Sequence, residues 1–208
     1  MDGVFMLKGI KCCLLCLLFA VTVWSIMLFQ DKNQLQDELI RLHVVGASNS
    51  SEDQTIKLQV KDAVVKSLEN ELRNLADMNQ AKAYLQENLP KIEQLANSVL
   101  AELGCGETVS ISLGKEVFDT RYYDTFTLPA GVYEALRINI GEAEGKNWWC
   151  VIFPSLCLPA TAAEFENVAA GAGFSEELIQ TLESNGEYEI RFFLLDFLGR
   201  VENIFFEG

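Results

Sequence analysis

The sequence predicts an α+β protein: an N-terminal membrane helix, then one exported domain in which a mostly antiparallel sheet packs against helices. Three observations carry that prediction. The run from Cys12 to Phe29 contains no charged residue and is close to the roughly 20 residues that a membrane-crossing helix needs. Ile56, Val60, Val64, Leu68, Leu72 and Leu75 recur at spacings of four and three, the signature of one apolar face of a helix. Thr108–Leu113 and Val132–Ile140 alternate apolar and polar side chains, as half-buried strands do. Helices gathered in the N-terminal half and largely contiguous strands argue for α+β rather than an alternating βαβ order.

Residues 1–11 carry Lys8 and Lys11, whereas Asp31, Asp37 and Glu38 follow the apolar run. Lysine on the N-terminal side favours a cytoplasmic N-terminus and places the remainder outside. Residues 12–29 are then a transmembrane anchor or an uncleaved signal. Val23-Trp24-Ser25 weakly resembles a cleavage site, but the apolar run continues past it to Phe29, which favours retention. Residues 30–37 read as a polar linker and 38–208 as the exported domain.

Glu38–Gly46 reads as a strand in which Arg41 and His43 alternate with Leu42 and Val44, and Gly46–Ser51 breaks it. Ser51 followed three residues later by Gln54 fits a capping box, so the first helix of the domain should start there. A second helical stripe runs from Met78 to Leu103. Pro90 lies inside it and predicts two short helices or a kink, ending at Gly104-Cys105-Gly106. Phe118–Leu128 carries β-formers interrupted by charge, and Pro129-Ala130-Gly131 is a turn. Trp148–Phe153 is apolar on both faces, as in a central strand. Ala160–Ala170 and Ser175–Ser184 read as helices, the second capped by its serine. Glu187–Leu195 reads as a final strand, with Asp196–Phe206 extending it or forming a short helix.

The net charge of −14 repels phosphate backbones and anionic headgroups, which argues against nucleic-acid binding. His43 is the single histidine, so a catalytic triad or a zinc site has little to build with. Gly141–Asn147 is one residue short of a phosphate loop and carries two carboxylates where phosphates would sit. No catalytic, cofactor or metal residue is assigned, and no small-molecule substrate is expected. The most unusual stretch is Asn147-Trp148-Trp149-Cys150 through Cys157. Adjacent tryptophans on a strand point to opposite faces, one of them inward. Cys150 and Cys157 are either a disulfide closed by a reversal near Pro154 or two buried thiols, and an exported domain permits the bond.

Leu39–Gln54, continued by Lys57–Val64, resembles the start of the exported domain of the stage II sporulation protein R family. Leu128–Gly141 and Asn147–Cys157 resemble the central block of that family, and Arg191–Leu195 is similar to its C-terminal strand. Glu142-Ala143-Glu144 is less glycine-rich than the family pattern, and Ser155 stands where a second proline is expected. The resemblance implies an exported forespore protein, anchored or released in the space between forespore and mother cell. It implies one partner, a membrane-embedded aspartic protease of the mother cell that processes the precursor of an early sigma factor. Contact candidates are Arg41, His43, Ser48, Asn49, Ser50, Trp148 and Trp149. The rival readings are an exported hydrolase acting on peptide or wall polymer and an anchored structural protein of the septum.

Overall fold

The chain runs α1 (Asp2–Glu38), β1 (Ile40–Val45), α2 (Ser51–Arg73), α3 (Met78–Glu102), β2 (Val109–Phe118), β3 (Arg121–Tyr122), β4 (Thr127–Leu128), β5 (Gly131–Ile140), β6 (Asn147–Phe153), α4 (Ala162–Gly171), α5 (Glu176–Glu183) and α6 (Ile190–Glu207). The computed structural model describes residues 2–154, 156, 162–183 and 190–207. Four strands form one mixed sheet in the order β2-β5-β1-β6, and β3 pairs with β4 as a separate ribbon. β1 runs parallel to β5 and antiparallel to β6, and β2 is antiparallel to β5. The α+β class and the predominance of antiparallel pairing agree with the sequence reading. The apolar content of β6 predicted a central strand, but β6 is an edge. Its two faces are apolar because α2 covers one and the aromatic cluster described below covers the other.

Strand parity divides the core in two. Ile40, Leu42, Val44, Leu136, Ile138 and Ile140 face α2 and α3, where they meet Val60, Val64, Leu68, Leu85 and Ala96. Burying each such aliphatic side chain is worth about 1.5–3 kcal/mol, and this layer is the main source of cohesion. The opposite face carries Tyr133, Ala135, Phe118 and Val151 and packs with Leu28 and Leu35 of α1 and with Phe165, Leu178 and Leu195 from α4–α6.

Local chemistry explains most element ends. Ser50, in the β region, caps α2 by accepting the Asp53 N–H at 3.0 Å, one residue before the predicted cap. Gln54 does not reach back to Ser51 but donates to the Ser48 carbonyl at 2.8 Å. α3 ends in a Schellman turn: Gly104 has φ +68°, Cys105 N–H reaches Leu100 O at 2.9 Å and Gly104 N–H reaches Ala101 O at 3.1 Å. Ser175 accepts the Leu178 N–H at 3.1 Å and starts α5 as predicted.

Three segments differ from the sequence reading. α3 continues through Pro90 as one helix, because its buried stripe (Ala81, Leu85, Ile92, Ala96, Leu100) lies on α2 and the sheet. Packing there outweighs the ~3 kcal/mol that an interior proline costs. Residues 30–37 are not a linker but the last turns of α1, with Leu35 buried. Of the expected final strand Glu187–Leu195, the part from Ile190, which includes Arg191–Leu195, is helical in α6, and 187–189 lie outside the described residues. Its phenylalanines and leucines occupy both inner and outer faces, and the apolar outer side hides the helical period.

Candidate functional site

Arg41 and His43 share the β1 face that turns away from α2. An alternating charged residue on a strand suggests solvent, yet Arg41 is 0% exposed and His43 7%. The Arg41 guanidinium lies 3.9 Å from the Phe118 ring centroid and 5.0 Å from that of Tyr133. Its Nη2 donates to the Tyr123 hydroxyl at 2.8 Å, whereas Nε and Nη1 have no hydrogen-bond partner among the described residues. Aromatic faces thus replace a carboxylate as the counterweight to this buried cation.

His43 stacks on Trp149 at 5.5 Å between centroids, and its Nδ1 lies 2.8 Å from Glu116 Oε1. Glu116 also accepts from Arg137 Nη1 at 2.6 Å. Burial pushes the Glu116 carboxyl up, but the His43 hydrogen bond and the charges of His43 and Arg137 together hold it below the usual range. An ionised carboxylate only accepts, so the hydrogen sits on Nδ1 of His43. The Arg121 guanidinium lies 3.5 Å from the Trp149 centroid, with its own pKa lowered by burial and by the nearby Arg41. Arg41, His43, Glu116, Arg121 and Trp149 therefore form one cation–aromatic layer that crosses the sheet face turned away from α2.

Trp148 points to the other face, with Lys61 Nζ 4.7 Å from its ring, and is 37% exposed. Trp149 is the inward ring of the pair, half-buried against the second core cluster. The edge position of β6 leaves the start of the strand open. Cys150 is disulfide-bonded, and the chain turns after β6 so that Leu156 N–H reaches Val151 O at 3.2 Å. Cys157 lies outside the described residues.

Ser48, Asn49 and Ser50 are brought to a different place, the end of β1. There they form a latch with the Gly141–Lys146 loop. Asn49 Oδ1 accepts the Lys146 N–H at 2.9 Å, Ser48 Oγ donates to the Asp53 carboxylate, and Gly145 N–H donates to Gly46 O at 2.8 Å. Lys57, 4% exposed, closes the latch by donating to Gln54 Oε1 at 2.7 Å and to Lys146 O at 2.9 Å. Burial, with Lys146 nearby, lowers its pKa. A Cβ on Gly145 would lie 2.3 Å from Ser48 O, so only glycine permits this approach. These three residues shape a turn first, and only Asn49 and Ser50 face solvent.

Sequence reasoning missed Glu116, Arg121, Tyr123 and Lys57. Glu116 left a trace, since it shares strand parity with Phe118 and therefore points to a packed face. A cleft of about 850 Å³ opens elsewhere, between Glu38, Leu72, Asp77, Phe153, Glu164 and Val168. Burial, then Asp37 and Asp77, raise the Glu38 carboxyl there. Among the described residues no cluster of three or more His, Cys, Asp or Glu could hold a metal ion.

Residues 36–163, which include the whole cation–aromatic layer and the latch, match the model of the family "Stage II sporulation protein R (spore_II_R)". The chain belongs to the stage II sporulation protein R family. It is similar to the stage II sporulation protein R of Bacillus subtilis (strain 168), with 28% identity over 182 residues covering 79% of this chain and 81% of that relative. No solved structure matches it. The stage II sporulation protein R match begins within the last turns of α1 and ends in α4, so α5 and α6 lie beyond it.

Proposed function

We propose that this protein is an exported signalling protein of sporulation that activates a membrane-embedded aspartic protease, which in turn processes the precursor of an early mother-cell sigma factor. The observation that carries the reading is the family match over β1–β6. The membrane location is supported by α1, whose segment Ile10–Glu38 contains an 18-residue window of mean hydropathy 2.6, with basic residues on the N-terminal side. In this reading α1 is a retained anchor, its N-terminus is cytoplasmic and residues 31–208 lie outside. The domain acts by recognition and does no chemistry of its own. Its contact surface is the open start of β6, where Trp148 is exposed and Trp149 carries Arg121. Aromatic and arginine side chains of this kind anchor protein interfaces.

Protease, precursor and the full chain reconstituted together should give cleavage that depends on this protein. Trp148→Ala with Trp149→Ala should lower the cleavage rate at least tenfold, about 1.4 kcal/mol of binding, while precursor and protease levels stay the same. Cleavage that proceeds equally without the chain, or turnover of peptide or wall polymer by the chain alone, would replace this reading with another. For topology, protease added to intact protoplasts should remove residues 31–208; a domain protected until lysis contradicts the orientation.

A further inference from the structure

Large apolar side chains left in the open are not scattered over this molecule. Apart from α1, most of them lie on α6: Ile190, Phe193, Phe197, Ile204, Phe205 and Phe206 are each at least half exposed. The side of α6 opposite Ile190, Phe193, Phe197 and Ile204 buries Phe192 and Leu195, sets Gly199 against the Ala130 carbonyl and donates from Asn203 to Phe118 O at 3.0 Å. A helix that is apolar on two opposed faces requires cover on both.

The contacts of α6 with α1 orient the second, outer face. Arg191 bonds Asp31 at 2.6 Å, and Glu202 meets Lys32 at 3.0 Å and Gln36 at 2.5 Å. Arg191 and Glu202 are about 16 Å apart along α6, yet their partners span only about 8 Å of α1. α6 therefore crosses α1 instead of running beside it, and does so within two turns of the end of the apolar run at Phe29. The domain begins to pack on α1 at Leu28, inside that run. Arg191 and Glu202 lie on one side of α6. The residues seated on the sheet are about a quarter turn from them in one sense, and the exposed stripe of Ile190, Phe193, Phe197 and Ile204 is roughly a third of a turn away in the other. Because α6 crosses α1, these two senses point along α1: one toward the sheet domain, the other back toward the apolar segment.

We infer that the outer face of α6 lies in the surface of the bilayer that α1 crosses, with Phe193, Phe197 and Ile204 among the acyl chains and the Arg191–Asp31 pair at headgroup level. The occupant of this face is lipid, held by apolar burial as interfacial helices are. The net charge of −14 gives no electrostatic attraction to anionic headgroups, so zwitterionic lipid suffices. The inference rests on the reading of α1 as a retained anchor and is independent of any protease.

The test uses the full chain in phosphatidylcholine vesicles with Phe197→Trp. Emission is compared with the unsubstituted chain, which subtracts Trp24, Trp148 and Trp149. Acyl chains brominated near the headgroup should remove most of the added emission, and aqueous iodide should remove little. Tyr122→Trp, at an exposed site on β3, should show the reverse. Phe193→Trp repeats the measurement at a second position should the first variant misfold. An added tryptophan quenched by iodide and untouched by bromine overturns the inference. So does one shielded from both quenchers in a chain that cross-links to a second copy, which would make α6 a self-association surface. Vesicle insertion without protease activation would count against the proposed function alone, and removal of α1 in cells would appear in the protoplast experiment.

Discussion

Gly199→Ala is expected to be the most damaging single methyl group that can be added to this protein. An ideal Cβ at this position lies 1.6 Å from the Ala130 carbonyl oxygen and 2.4 Å from its carbon. Neither atom belongs to a flexible side chain, so α6 would have to lift from the start of β5. That movement would also break the Ala130 N–H bond to Asp196 at 2.8 Å and the Asn203 bond to Phe118 O. The loss should exceed ~3 kcal/mol, at the upper end of overpacking effects. Gly114→Ala is the control, because no atom lies within 4 Å of its added Cβ. The measurement is the denaturant midpoint of the detergent-solubilised chain. Equal midpoints for the two variants would show that α6 is not seated on Ala130.

The second large effect is expected from Glu116→Ala. It removes the carboxylate shared by His43 and Arg137 and leaves a guanidinium beside an unsatisfied Nδ1–H. Breaking a buried charged pair from one side costs about 3–5 kcal/mol. Arg137 is 40% exposed and water will recover part of that, so about 2–3 kcal/mol is expected. His43→Phe keeps an aromatic plane against Trp149 but removes the donor, so the Glu116→Ala penalty should shrink in that background. The same penalty in both backgrounds would mean that the His43–Glu116 contact does not contribute.

Acid should weaken the molecule through the same kind of group. Burial raises the Asp196 carboxyl, but the Ala130 N–H, the Thr120 hydroxyl at 2.5 Å and Arg200 at 2.8 Å outweigh it and hold its pKa below the ordinary carboxylate value. A folded pKa below the unfolded one adds stability that is fully present above the unfolded value, about pH 4, and is lost as pH falls through the folded value. Glu116 shifts in the same direction. The denaturant midpoint should therefore fall steeply below about pH 4, and Asp196→Asn should flatten that limb. An unchanged acid limb in the asparagine variant would remove Asp196 from this account.

The elements that the sequence revealed are those whose signal is local. The α2 stripe has one apolar face and an adjacent cap, and β2 and β5 alternate because one of their faces is more polar than the other. α6 was misread because Phe193 and Phe197 fill the face where polar residues would have marked the helical period. Pro90 was misread because local chemistry opposes the helix there and tertiary packing keeps it. The candidate site was legible only in part. The alternation of Arg41 and His43 was visible, but their burial depends on Phe118, Tyr133 and Trp149, which lie 75 to 108 positions further along the chain. Nothing next to Lys57 in the chain marks it for burial, and only the loop carrying Lys146 O makes it a buried donor.

Between the last residue of α1, Glu38, and the first of β1, Ile40, there is only Leu39, which is 1% exposed. α1 thus feeds directly into a strand with neighbours on both sides, and no slack separates them. Helices that span a bilayer lean further as the hydrocarbon layer thins. If α1 spans the bilayer as proposed, any lean of the helix turns the sheet by the same angle, as a mast carries a sail. Under the proposed anchoring, the height and heading of Trp148 above the membrane then follow bilayer thickness, and the proposed partner would meet that residue at an attitude set by the lipids.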